Sequence, residues 1–116
     1  MSHLLIDHLG RQVNTVHSPK RIISICPAIT ETLFSLGLEN EIIGRTKYCI
    51  FPKGVVENVQ VVGGTKQVNL EKIRELQPDL ILAEKEENTE EIVHALEKIA
   101  PVFVLEVQSI EDAFRF

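Results

Sequence analysis

Two groups of side chains in this sequence are of types that do chemistry. In the first, Tyr48 and Phe51 flank Cys49 inside an otherwise polar stretch. Aromatic residues make up only 5% of the chain, so two rings beside one thiol suggest a stacking wall, with core packing as the competing reading. The second group is charged: Glu84, Lys85, Glu86 and Glu87 follow an apolar run. Two of these carboxylates would make an acid–base pair only if their environments drove their proton affinities apart; a solvated loop is the simpler account. Ser24 has no partner base in view, and no G-x-S-x-G elbow occurs. Four histidines and two cysteines show no metal-ligand spacing within one element. Gly63-Gly64 before a helix raises phosphate binding, but VGGTKQ matches neither G-x-G-x-x-G nor a P-loop. These residues therefore point to binding and away from an enzyme.

The elements that must hold them follow from periodicity and punctuation. Residues 3–17 read as a β-hairpin turning at Asp7-His8-Leu9-Gly10. Those four letters mimic the D-x-H-x-x-G of cobalamin-dependent enzymes with the wrong spacing, and a turn explains them. Ile22-Ile23-Ser24-Ile25 is the first strand of a main sheet. Pro27 opens a helix with Ile29, Leu33 and Leu36 as its stripe, and Gly37 closes it. Residues 41–45 form a second strand, and 46–68 read as a long irregular loop of a length that favours function. Asn69 caps a helix carrying Leu70, Ile73 and Leu76, which Pro78 ends. Leu80-Ile81-Leu82-Ala83 and Val102-Phe103-Val104-Leu105 are continuous apolar runs, the pattern of strands covered on both faces. Between them Asn88 and Glu91 suggest a capping box for a helix buried through Ile92, Leu96 and Ile99. Ser109 opens a last helix reaching Phe116.

Strands alternating with helices give an α/β fold, a three-layer α/β/α parallel sheet with right-handed crossovers, preceded by an N-terminal β-hairpin. The carboxyl edge of such a sheet is where ligands bind.

Composition narrows the partners. The 116 residues carry 44% hydrophobic side chains and a formal net charge of −5, enough for one core and unsuited to a nucleic-acid or anionic-membrane surface. No run approaches a membrane span, and MSHLLIDHLG is too polar for a signal-peptide core. Cys26 and Cys49 read as two buried or half-buried thiols.

RIISICPAITETLFSLGLENEIIGRT, YCIFP, VGGTKQVNLEKIRELQPDLILA and PVFVLEVQSIEDA together resemble the amino-terminal lobe of the class III periplasmic binding proteins. These are the helical-backbone metal receptors that serve ABC importers of iron-siderophores, haem and vitamin B12. The resemblance implies a hairpin extension over 1–20 and a ligand-binding lobe over 21–116, one lobe of a two-lobe receptor whose second lobe is absent from this sequence. It implies ligand-facing positions at Pro27 and Ala28, at Tyr48, Cys49 and Phe51, at Thr65, Lys66 and Gln67, and at Glu84 and Lys85. B12 receptors carry aromatics at the positions of Lys66 and Glu84, a departure that argues against a corrin. Glu71 matches the acidic residue that docks the lobe on the importer's permease. The resemblance implies no metal site, no catalytic residue and no intrinsic cofactor, with iron-siderophore, haem or cobalamin as ligand. It implies a periplasmic or cell-envelope location, although this sequence shows no signal peptide and the cytoplasm stays open. Dimerisation would complete the cleft if the lobe stood alone. The alternative is a cytosolic α/β interaction or regulatory module using residues 46–68 as its contact surface.

Overall fold

The computed structural model describes residues 2–16, 19–64 and 67–106. The chain opens with an antiparallel hairpin, β1 (Ser2–Ile6) and β2 (Gln12–Val16). The main sheet follows as β3 (Ile22–Ser24), β4 (Ile42–Arg45), β5 (Gln60–Val61), β6 (Leu80–Glu84) and β7 (Val102–Leu105). Three helices connect them: α1 (Pro27–Ser35), α2 (Leu70–Leu76) and α3 (Glu90–Glu97). The strand order is β5-β4-β3-β6-β7 and every pairing in it is parallel. All five strands therefore end on one rim.

Successive residues of a strand face opposite sides of the sheet, and here both sides are covered. On one side α1 buries Ile29 and Leu33 against Ile22, Leu80, Leu82 and Phe103. On the other, α2 and α3 bury Ile73, Val93 and Leu96 against Ile23, Ile81, Ala83 and Val104. This is why β6 and β7 are apolar at consecutive positions rather than alternate ones. The architecture is the three-layer α/β/α sheet expected.

Helix ends follow from their punctuation. Leu38 N–H donates to Leu33 O and Gly37 N–H to Phe34 O, both within 3.1 Å, with Gly37 at φ +78°; this is the paired bonding of a Schellman close. Asn69 Oδ1 accepts Lys72 N–H at 3.1 Å, so the expected cap of α2 is present. At its other end Arg21 donates from Nε to Leu76 O and Gln77 O, each at 3.1 Å, and from Nη2 to Leu76 O. These bonds satisfy carbonyls that a helix end leaves orphaned.

The hairpin seals the outer edge of β7. His8 N–H donates to Val104 O at 2.9 Å, and Arg11 Nη2 reaches Val102 O at 2.8 Å. Glu106 N–H donates to His8 Nδ1 at 2.6 Å. Asp7 organises the turn: Oδ1 accepts Leu9 N–H and Arg11 N–H, and Oδ2 accepts Arg11 Nε–H and Val104 N–H. An open strand edge is a pairing hazard, and these bonds remove it.

Four expectations need correction. The stretch 46–68 is not one irregular loop: a 3₁₀ turn (Val56–Asn58) leads into β5, a two-residue edge strand. Leu36 does not join the stripe of α1; it is the C-cap and lies exposed. Asn88 is not a helix cap. Thr89 caps α3 by accepting Ile92 N–H, while Asn88 is buried and bonded to the sheet. Glu84 is the buried last residue of β6, not part of a polar loop. The helix expected from Ser109 lies outside the described residues.

Candidate ligand-binding site

Parallel strands deliver the segments after β3, β4, β5 and β6 to the same edge of the sheet. The chain runs from β3 outward through β4 to β5, then returns to the other flank as β6 and β7. The reversal falls between β3 and β6, the switch point at which open α/β sheets leave a crevice. In this chain Asn88 bridges that point. Its Nδ2 donates to Ile25 O at 3.1 Å and its Oδ1 accepts Glu84 N–H at 2.7 Å. Glu84 completes the stitch, since its Oε1 accepts the N–H groups of Glu86 and Glu87 at 2.8 Å each. The β6–α3 turn is thereby pinned to its own strand. Glu84, expected to face ligand, spends its carboxylate on backbone because a buried carboxylate needs donors.

Lys85 stands at the tip of this turn. It pairs with Glu106 beyond β7, Nζ to Oε1 at 2.9 Å. Their mutual hydrogen bond raises the lysine's pKa and lowers the glutamate's. Both are solvent-exposed, so the pair contributes little to stability.

The segment after β4 is held from beneath. Arg45 donates from Nε to Val59 O at 3.0 Å and from Nη1 to Cys49 O at 3.1 Å. Cys49 was expected on the ligand side; it is fully buried, with Sγ 3.2 Å from Thr30 Oγ1 and 3.1 Å from Thr46 Oγ1. The reason is the alternation of the segment: with the thiol anchored inward among hydroxyls, its neighbours turn outward. Tyr48, Ile50 and Phe51 are 54%, 52% and 45% exposed. Lys47 N–H donates to Gly63 O at 2.8 Å, binding this segment to the one after β5. Tyr48 lies so close that a Cβ on Gly64 would stand 3.4 Å from its ring. Gly63, at φ +122°, turns sharply enough that a Cβ would meet Gln67 O at 2.5 Å. The Gly-Gly pair thus serves a tight backbone turn.

Of the other expected positions, Pro27 and Ala28 are half-buried at the start of α1, and Gln67 is exposed. Thr65 and Lys66 lie outside the described residues. Cys26 stands at the N-cap position of α1; burial pushes its thiol up from 9.0 to about 11, partly offset by the backbone N–H groups of Ile29 and Ala28. Both cysteines are free and buried, as expected. Two residues not anticipated lie in the segment after β4. Lys47 Nζ sits 5.2 Å from the Tyr48 ring centroid, and Lys53 Nζ 5.5 Å from that of Phe51. The signal for them lay in the sequence: from Ile42 to Val56 there are basic residues and no acidic one. Beside Phe51 an open groove of about 560 Å³ runs along α1 toward Val55, lined also by Phe34 and by the carboxylate-bearing Glu31 and Glu39.

The segment after β4 thus carries exposed rings and amines over a base held by hydrogen bonds to backbone. A family model described as periplasmic binding protein matches residues 22–115. The chain belongs to the periplasmic binding protein family. It is 38% identical over 77 residues to the uncharacterized ABC transporter substrate-binding lipoprotein YvrC of Bacillus subtilis, covering 66% of this chain and 24% of that protein. It is 30% identical over 95 residues to a vitamin B12-binding protein of Pectobacterium carotovorum, covering 81% of this chain and 34% of the relative. The iron uptake ABC transporter substrate-binding protein PiuA of Streptococcus pneumoniae superposes with a TM-score of 0.80 at 25% identity, over 99% of this chain and 45% of that one. The chain therefore spans about a quarter to a third of the curated relatives it matches.

Proposed function

We propose that the chain is the ligand-facing amino-terminal lobe of an ABC importer's substrate-binding component, specific for a metal chelate or corrinoid of the iron-siderophore, haem or cobalamin class. The observation that carries this reading is the single rim: the segments after β3, β4, β5 and β6 converge there, and Tyr48, the only tyrosine of the chain, stands exposed beside Gly64 of the segment after β5. Similarity to a substrate-binding lipoprotein and to a vitamin B12-binding protein supports it. Residues 1–20 act as an edge-sealing extension and 21–116 as the lobe. The role is binding without catalysis, in the cell envelope, where such receptors meet an importer.

One lobe offers one wall. Binding to it uses shape and a few polar groups. Glu71 is the residue proposed to dock the permease. It lies exposed in the first turn of α2, and among the described residues it makes no ion pair, leaving its carboxylate available to an arginine.

Titration calorimetry of the protein with ferric siderophores, haem and cobalamin tests the reading. A saturable heat with one class is expected. Silence with all three refutes it.

A further inference from the structure

We propose that His8 is a pH-sensitive latch on the exit of the chain from β7: its unprotonated imidazole holds the backbone of Glu106, and taking up a proton releases it. The inference stands apart from the ligand reading above.

The direction of one hydrogen bond fixes the charge state of the ring. Glu106 N–H donates to His8 Nδ1 at 2.6 Å. A backbone amide can only donate, so Nδ1 presents its lone pair and the ring proton sits on Nε2. Protonating the ring would set one N–H against another, and the bond cannot survive that. Because the closed arrangement excludes the charged ring, protons favour the open one. The latch therefore holds in neutral and alkaline solution. It loosens as pH falls through the range in which histidines charge, about pH 8 to 5.

The surroundings make this bond the one that decides. His8 cannot follow a departing Glu106: its own N–H is bonded to Val104 O at 2.9 Å, and its turn is tied by Asp7. Its ring stands edge-on to Phe103, with centroids 6.0 Å apart. Glu106 is the first residue past β7. Among the described residues its other hold is the exposed pair with Lys85, and such pairs contribute little. The remaining charges near the turn are committed, Asp7 and Arg11 to each other and Arg11 also to Glu97 of α3. A charged His8 lies close enough to the Glu106 carboxylate to favour its ionised form. On opening, the imidazolium thus competes with Lys85 of the β6–α3 turn for that side chain and gives up the amide. The latch governs how the chain leaves the lobe toward residues 107–116.

Nuclear magnetic resonance on the parent protein tests this. Long-range proton–nitrogen correlation of the His8 ring should show Nδ1 bare and Nε2 protonated above about pH 7.5, where histidines are neutral. The Glu106 amide exchange rate is then divided by the intrinsic rate at each pH. Going from about pH 8 to about pH 5, its protection should fall about tenfold, the order of one hydrogen bond. The Ile81 and Leu82 amides, inside the sheet, should keep theirs. His8→Asn places an acceptor oxygen near the position of Nδ1 and cannot charge, so its Glu106 protection should be the same at both ends of the range. A proton found on Nδ1 in alkaline solution would overturn the proposal. So would parent protection that does not change with pH, or that falls equally in His8→Asn.

Discussion

Replacing Asp7 with alanine should destabilise the whole lobe, although Asp7 belongs to the hairpin and not to the sheet. Its carboxylate has no exposed surface, and it accepts from Leu9 N–H at 3.0 Å, Arg11 N–H at 2.9 Å, Arg11 Nε–H at 2.9 Å and Val104 N–H at 3.3 Å. Alanine strands those donors, one of them on β7, and frees the guanidinium that clasps Val102 O. Removing one partner of a buried, hydrogen-bonded ion pair costs about 3–5 kcal/mol. A domain has only about 5–15 kcal/mol in total, so the loss is a large share of what holds the fold. For a domain near this size each kcal/mol moves Tm by roughly 4 °C, which sets the expected drop at about 12–20 °C. Thermal melts followed by circular dichroism measure it, and hydrogen exchange should show the Val104 amide losing protection first. Glu97→Ala is the control: its carboxylate also meets Arg11, at 3.1 Å, but is 42% exposed, so its loss should cost under about 1 kcal/mol. An Asp7→Ala protein melting within a few degrees of the parent would show that the hairpin is an ornament, not the seal of the β7 edge.

Leu82, 1% exposed and packed in the core on the α1 side of the sheet, tolerates no charge: Leu82→Asp should leave no cooperative transition, and a near-parent melt would contradict its placement. Glu71→Ala should cost about 0.3–1 kcal/mol, the worth of a carboxylate in the first turn of a helix, while weakening pull-down of the cognate permease; undiminished association would remove the docking role. Because burial raises the Cys26 pKa from 9.0 to about 11, the unfolded chain ionises first on the alkaline side. Stability from this group is therefore complete below about pH 9 and is lost as pH rises toward 11. Cys26→Ala should flatten that part of the Tm-against-pH curve, and identical slopes in parent and variant would count against it. Arg45→Lys cannot reproduce the guanidinium fork, so Tyr48 emission should become more accessible to iodide with Tm nearly unchanged; unaltered accessibility would mean that the fork does not hold the segment.

How much of this was legible in the residues depended on how many neighbours each element needs. β6 and β7 were readable because a strand covered on both faces is apolar at every position, and no partner has to be known to see it. The caps Asn69 and Gly37 were readable because their bonds are local. β5 was not, since two residues, Gln60 and Val61, form a strand only because β4 lies alongside. Asn88 misled for the same reason: three residues ahead of a glutamate it has the pattern of a cap, while its true partners include Ile25, distant in the chain. The family resemblance put Glu84 and Cys49 among the ligand-facing positions, whereas the fold buries both. In the site, residue type identified the exposed rings, and only geometry brought the amines over them.

The rim separates two tasks that one loop could not perform together. Its bases are made of bonds to backbone: Arg45 to Val59 and Cys49, Asn88 to Ile25, Glu84 to Glu86 and Glu87. Such bonds fix where a segment runs without regard to the side chains at its tip. Lys47, Tyr48, Phe51 and Lys53 make none of them through their side chains, so exchanging these residues should leave the lobe folded. The glycine pair supports the same division, because Gly63 lets the segment after β5 pass close enough for Gly64 to lie against Tyr48 while contributing no side chain of its own. A family that serves unlike ligands on one scaffold requires this independence of base and tip. In this chain the segment after β4 carries Lys47, Tyr48, Phe51 and Lys53 and the turn after β6 carries Lys85, Glu86 and Glu87, choices of side chain that the sheet beneath them does not require.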